Sequence, residues 1–170
     1  QEAIELVRPQ AFERGIRTEL HLPESPEQKS PHVMVDRQRL AQVLINLLSN
    51  AVKYNRDHGR VDLQVQATEG GWRITVRDQG AGIPAEQRAR LFAPFERLGQ
   101  DSSSIEGSGL GLAVARGLAQ AMGGTLTLQE GEGPGACFVL ELPRAEAPTE
   151  AASPAETAAV APPTRPARAT

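Results

Sequence analysis

Three short runs in this chain place polar groups and glycines where a phosphate-bearing ligand would find partners. Asn46 and Asn50 lie four residues apart in a stretch of helical periodicity, so they stack on one face. At about 100° per residue, Lys53 joins them in a polar column. That column flanks an apolar stripe of Leu40, Val43, Leu44, Leu47, Leu48 and Ala51. Amide oxygens and an ammonium group at the edge of a core suit hydrated Mg2+ and phosphate oxygens, because Mg2+ keeps several waters and needs few protein ligands. Taken alone, the same asparagines read sooner as solvated helix residues.

The second run, Asp78-Gln79-Gly80-Ala81-Gly82-Ile83, directly follows a strand pattern. A carboxylate at a strand end accepts a hydrogen bond, and alternating glycines let the backbone pass close to a flat ligand. The exocyclic amine of adenine is a natural donor to such an acid. By itself the run also serves as a plain turn. The third run, Gly107-Ser108-Gly109-Leu110-Gly111-Leu112, opens a helix. Backbone N–H groups at the positive end of a helix dipole attract anions. No Gly-Lys-Ser/Thr follows, which excludes a Walker A loop. No strand leads directly into it, which excludes a dinucleotide fingerprint. Alone, it reads equally as a hinge before a helix.

These runs need elements to position them. The periodicity predicts a helix over 2–14, a break at Gly15, a strand over 16–22, a short strand over 32–35, and a long helix from an N-cap at Asp36 to about Tyr54. Strands over 60–68 and 72–77 flank the turn Glu69-Gly70-Gly71, and a short helix or turn covers 84–92. A polar loop spans 97–107. A second amphipathic helix, 110–122, stops at Gly123-Gly124, and strands 125–129 and 136–142 close a second hairpin. The expected fold is an α/β (α+β) two-layer sandwich: a mixed, mainly antiparallel sheet with helices on one face. From Arg144 onward, ten Ala and five Pro among 27 residues read as a disordered linker or tail, leaving a folded domain over 1–143.

In this order and spacing the runs reinforce one another. DRQRLAQVLINLLSNAVKY resembles the N box of sensor histidine kinases, DQGAGI the G1 box, LFAPFERL the F box and GSGLGLAVARGLAQAMGG the G2 box. TLTLQEGEGPGACFVLELP is similar to the family's C-terminal hairpin. The resemblance covers residues 1–143, and its motifs belong to the GHKL superfamily (Bergerat fold), which also includes gyrase. It implies Mg-ATP as ligand, with Asn50 on Mg2+, Asn46 and Lys53 near the phosphates, and Tyr54 beside the nucleotide. It further implies Asp78 on the adenine amine, with Gly80, Gly82 and Ile83 shaping the pocket. Phe92 and Phe95 would anchor a mobile lid over 97–107, and Arg97 would contact the γ-phosphate. Gly107, Ser108, Gly109, Leu110 and Gly111 would hold the triphosphate. Ser108 stands where the family commonly has Thr, keeping the hydroxyl.

One position separates the possible reactions. The superfamily's ATPases carry a Glu general base where this chain has Asn46, and an amide accepts no proton at neutral pH. Phosphoryl transfer rests mainly on positioning and charge stabilisation, so a domain that only orients ATP serves well if a partner supplies the nucleophile. The expected reaction is transfer of the γ-phosphate to a histidine on a separate dimerisation and phosphoacceptor domain, with a response regulator downstream. The alternatives are a regulatory nucleotide-binding module without productive transfer, or an ATPase of the superfamily. None of His21, His32 and His58 lies in the family's phosphoacceptor setting. The histidine-bearing helices are represented at most by a trailing end in residues 1–8, so these residues are expected to be monomeric.

Composition fits this reading. Hydrophobic residues make up 39% of the 170 and charged residues 23%, as in an ordinary globular domain. A net charge of −3 offers no basic surface for nucleic acid. Cys137, the single cysteine, lies in an apolar strand pattern and reads as a buried thiol. With no membrane-length apolar run and no signal-peptide pattern at the start, a cytoplasmic domain is expected; membrane attachment of a parent protein is open.

Overall fold

The computed structural model describes residues 2–23, 33, 35–96, 109–130 and 134–144. Nine elements follow in order: α1 (Glu2–Glu13), β1 (Arg17–His21), α2 (Arg37–Lys53), β2 (Arg60–Thr68), β3 (Gly71–Arg77), α3 (Ala85–Arg88), α4 (Gly111–Ala121), β4 (Thr125–Gln129) and β5 (Cys137–Pro143). The five strands form one sheet in the order β1-β2-β3-β5-β4. β1 and β2 run parallel and the other three pairings are antiparallel, as expected for a mixed sheet. Parallel neighbours need a crossover, and α2 supplies it.

Alternation decides which face of the sheet is covered. Val61 and Leu63 of β2, Ile74 and Val76 of β3, Phe138, Leu140 and Leu142 of β5, and Leu126 of β4 are all buried beneath the helices. The register places Asp62, Arg77 and Cys137 side by side on the opposite face, followed by Gln64, Thr75 and Val139. The helices therefore lie on one face, and the other is mainly polar. Cys137 is nonetheless buried on that outer face, its Sγ 4.0 Å from both Arg77 Nη2 and Gln129 Oε1.

α2 is the central helix. Asp36 caps it by accepting from Gln38 N at 2.8 Å and Arg39 N at 3.1 Å, satisfying two of the N–H groups left over at a helix start. Its stripe is almost wholly buried: Val43, Leu47, Leu48, Ala51 and Val52 are at most 2% exposed. Burial of each large aliphatic side chain stabilises the fold by roughly 2 kcal/mol before entropy is subtracted. α1 and α4 both pack against this helix. α4 ends where Gly124 N donates to Ala119 O and Gly123 N to Gln120 O, a Schellman-type stop.

The short strand expected over 32–35 falls partly outside the described residues. Val33 and Val35 carry no strand pairing; His32 and Met34 lie outside the described residues. Both valines pack as half-buried side chains against the core instead. An alternating valine pair meets this need as well as it meets a ladder. Among the described residues no helix is long and apolar enough to cross a membrane.

Candidate functional site

Asp78 follows the last residue of β3 and is buried, at 5% exposure. Its Oδ1 accepts from Gly80 N at 2.8 Å and from Ala136 N at 3.1 Å. Its own N–H donates to Ala136 O at 3.0 Å. Oδ2 makes neither of these bonds. Burial raises the carboxyl pKa above its ordinary 3.8, with the bonds from Gly80 and Ala136 opposing the rise. A buried acid at a strand end, anchored to the backbone through one oxygen, has a second oxygen with which to accept a hydrogen bond from a ligand.

Backbone packing shapes the floor beside it. A Cβ at Gly80 would collide with the Tyr54 carbonyl oxygen at the end of α2. A Cβ at Gly135 would collide with the Asp78 carbonyl, and Gly135 takes φ +101°, a conformation that suits glycine. Gly82 approaches the Gly135 backbone, and Ile83 packs half-buried against the core. Arg56, just beyond α2, donates to Gln79 Oε1 at 2.9 Å and ties the loop 78–83 to the helix exit. Gly135, Ala136 and Arg56 were not among the sequence candidates. Gly-Pro-Gly-Ala at 133–136 signals a turn, but nothing local says which residue the turn abuts.

The other end of the cleft is set where α2 meets α4. Asn46 Nδ2 donates to the Gly111 carbonyl at 3.1 Å, and its Oδ1 accepts from Gln42 Nε2 at 3.2 Å. Asn46 thus fastens α2 to the first turn of α4. Asn50 lies one turn further along the same face, half-buried, and Lys53 Nζ sits 5.1 Å from the centre of the Tyr54 ring. From Asn46 to Tyr54 the face runs for about 12 Å at 1.5 Å per residue. One helix therefore carries both ends of the site.

The aromatic pair behaves unequally. Phe92 packs edge-on against Phe138 at 6.5 Å between ring centroids, and the Arg116 guanidinium lies over it at 4.9 Å. Phe95, by contrast, is 75% exposed with φ +64°, and only its backbone lies close to Gly109. Phe92 is thus the ring held by the core. Leu110 precedes α4 in helical conformation, and its carbonyl accepts from Val114 N. Arg97, Gly107, Ser108 and the rest of the expected lid lie outside the described residues.

Comparison with known proteins decides the family. Residues 35–146 match the model for histidine kinase-, DNA gyrase B- and HSP90-like ATPases. The chain belongs to this family. Within it, several similar proteins are kinases. The adaptive-response sensory kinase SasA of Prochlorococcus marinus (strain MIT 9301) is 38% identical over 114 residues, covering 66% of this chain and 31% of that protein. Full-length ShkA in complex with AMPPNP superposes with a TM-score of 0.71 at 38% identity, covering 86% of this chain and 29% of that one. Histidine kinase ThkA, in a complex with response regulator protein TrrA, gives a TM-score of 0.66 at 25% identity over 85% of this chain and 39% of that one. The chain spans about three tenths of the length of the curated relatives it matches. The fold is that of the histidine kinase ATP-binding domain, and the two-layer sandwich expected from sequence is the one observed.

A second group of ligating side chains lies on the outer face of the sheet. Glu19, His21 and Asp62 bring their ligand atoms within 4.8 Å of one another. Arg60 already pairs with Asp62 at 3.0 Å and with Glu19 at 3.7 Å, so the carboxylates are compensated within an ion-pair network. His21 and His58 are accordingly structural: the first belongs to this network, and the second turns the chain after α2 at φ +56°.

Proposed function

We propose that this domain binds Mg-ATP along α2 and presents the γ-phosphate to a histidine on a separate dimerisation and phosphoacceptor domain, with a response regulator downstream. The observation that carries the reading is the anchoring of Asp78. Its Oδ1 is taken by two backbone N–H groups, and the remaining oxygen is free to accept the adenine amine. Gly80 and Gly82 keep the floor low, and Ile83 and Tyr54 flank the base. Towards the other end, Asn46, Lys53 and the N-terminus of α4 face the phosphates, with Leu110 and Gly111 at the helix start.

The donor set fits Mg2+, which would be held by the Asn50 amide oxygen and would supply charge neutralisation between phosphate oxygens. Every other contribution comes from the chain. Asn46 is engaged as donor to Gly111 and acceptor from Gln42. As an amide it offers no base for activating water. That favours transfer to an external nucleophile over hydrolysis. The AMPPNP complex of ShkA and the regulator complex of ThkA support an adenine nucleotide and a regulator as partners. The folded unit comprises residues 1–143, consistent with β5 ending at Pro143. Arg97, Gly107 and Ser108 complete the phosphate end, and Phe92 anchors the base of the lid.

Two measurements test this. Calorimetric titration with ADP or a non-hydrolysable ATP analogue is expected to show Mg2+-dependent binding at one site per chain. With labelled ATP, the chain alone is expected to stay unlabelled, and a histidine-bearing partner domain supplied in trans to become labelled. Binding without transfer to any such partner would favour the regulatory-module reading. Turnover of ATP without a partner would favour an ATPase.

A further inference from the structure

Arg14 lies outside the motifs that carry the resemblance, yet it makes more side-chain hydrogen bonds than any other arginine among the described residues. Its Nη1 donates to the carbonyls of Val52 at 2.7 Å and Lys53 at 2.8 Å, and its Nη2 to the Asn55 carbonyl at 2.7 Å. Nε and Nη2 also hold Asp57 Oδ1, at 2.9 and 2.8 Å. The guanidinium therefore occupies the C-terminal end of α2, where helix carbonyls lack intrahelical partners and the dipole is negative.

The position of Arg14 itself is tightly set. It follows the last residue of α1, and Gly15 after it takes φ +61°, so that Ile16 N reaches Ala11 O at 2.8 Å and closes the helix. The Arg14 carbonyl accepts from His58 N at 3.0 Å. The His58 ring packs against Gly15 so closely that a Cβ there would collide with it. Backbone and side chain of one residue thus knit the end of α1 to the exit of α2.

That exit carries the base-binding end of the site. The carbonyls that Arg14 holds belong to residues 52, 53 and 55, and the carbonyl between them, on Tyr54, packs directly on Gly80. Gly80 N is in turn one of the two donors that fix Asp78. A shift of the last turn of α2 would move Tyr54, Gly80 and Asp78 together. We infer that Arg14 is a positioning residue for the nucleotide site, coupling the N-terminal helix to the adenine end through the α2 exit. This rests on the nucleotide reading above and assigns to α1 a part in setting affinity as well as packing.

The test compares the full chain with Arg14→Ala, Arg14→Lys, Asp57→Asn and Val7→Ala, measuring melting temperature and Mg-ADP affinity by calorimetry well below each melting point. Arg14→Ala is expected to weaken binding about tenfold. Val7→Ala, which loosens α1 in its buried face, is expected to lower the melting temperature but bind as the wild type. Asp57→Asn leaves the three carbonyl contacts and is expected to bind unchanged. A lysine cannot span the three carbonyls at once, so Arg14→Lys is expected to fall between wild type and Arg14→Ala. It also carries the test if Arg14→Ala does not fold. Wild-type affinity in either Arg14 variant, with a lowered melting temperature, would reduce Arg14 to a structural clamp and overturn the inference. Failure of the wild type itself to bind Mg-ADP would instead overturn the nucleotide reading, and this inference with it.

Discussion

Asp78→Asn is expected to weaken nucleotide binding about 100-fold while raising the melting temperature at neutral pH. The amide oxygen of an asparagine takes the place of Oδ1 and keeps the bonds from Gly80 N and Ala136 N. Its NH2 group then stands where Oδ2 stood, and a donor faces the adenine amine, also a donor. Loss of a charge-assisted bond together with an unmet donor in a buried site costs about 3 kcal/mol, or a factor of about 100 in affinity. Calorimetry would measure it. Unchanged affinity would mean that adenine does not reach Asp78.

The stability half of this prediction follows from the raised pKa. Burial makes the ionised form of Asp78 unfavourable, so the folded state holds the proton more tightly than the unfolded chain does, whose value is near 3.8. Between those two values the native state binds more protons, and stability falls as pH rises. The stability of the protonated form is fully present below 3.8 and is lost as pH climbs through the raised folded value. An asparagine never ionises and escapes this loss. The melting-temperature gain of Asp78→Asn should therefore be largest at neutral pH and shrink as pH falls towards 4. A gain that does not change with pH would show that the ionised carboxylate carries no such penalty. Nucleotide binding by the wild type should weaken over the same acid range, because protonation removes the acceptor.

Gly80→Ala is expected to destabilise the fold by about 3 kcal/mol, at the high end for overpacking, because the added Cβ meets backbone and not a side chain that can swing away. The obstacle is the Tyr54 carbonyl, held at the end of a helix whose core residues Leu47, Leu48 and Val52 are fully buried. Relief requires the loop to lift, which breaks the bond from Gly80 N to Asp78. Nucleotide binding should fall with stability. Gly117, in the middle of α4, provides the contrast: a Cβ there meets nothing within 4 Å. Its replacement by alanine should stabilise the helix by about 0.5–1 kcal/mol. Denaturant unfolding of both variants checks the pair. A Gly80→Ala protein with wild-type stability would mean that the Tyr54 contact does not set the height of the floor.

Much of this was legible in the residues alone, for a physical reason. Helix α2 is specified by signals within a few residues of one another: a capping Asp36, a period-3.6 apolar stripe, and polar residues on the flank. The two hairpins follow from alternation and glycine turns, which are local in the same sense. Asn46, Asn50 and Lys53 share a face because helix geometry alone puts them there. Within the short strand expected over 32–35, Val33 and Val35 have no partner specified by their own sequence and pack against the core without strand pairing.

What only the tertiary structure decided involves groups far apart in the chain. Ala136 N reaches Asp78 across 58 residues, and Asn46 meets Gly111 across 65. Arg14 finds the carbonyls of 52, 53 and 55 from about 40 residues away. None of these partners shares a period or a turn signal with the other. A backbone carbonyl has no sequence signature, so an arginine that caps one, or a glycine that makes room for one, looks like any surface arginine or loop glycine. The chemistry of the site was written in side-chain types at local spacing, whereas its rigidity comes from backbone groups brought together by the packing of α1, α2 and the sheet.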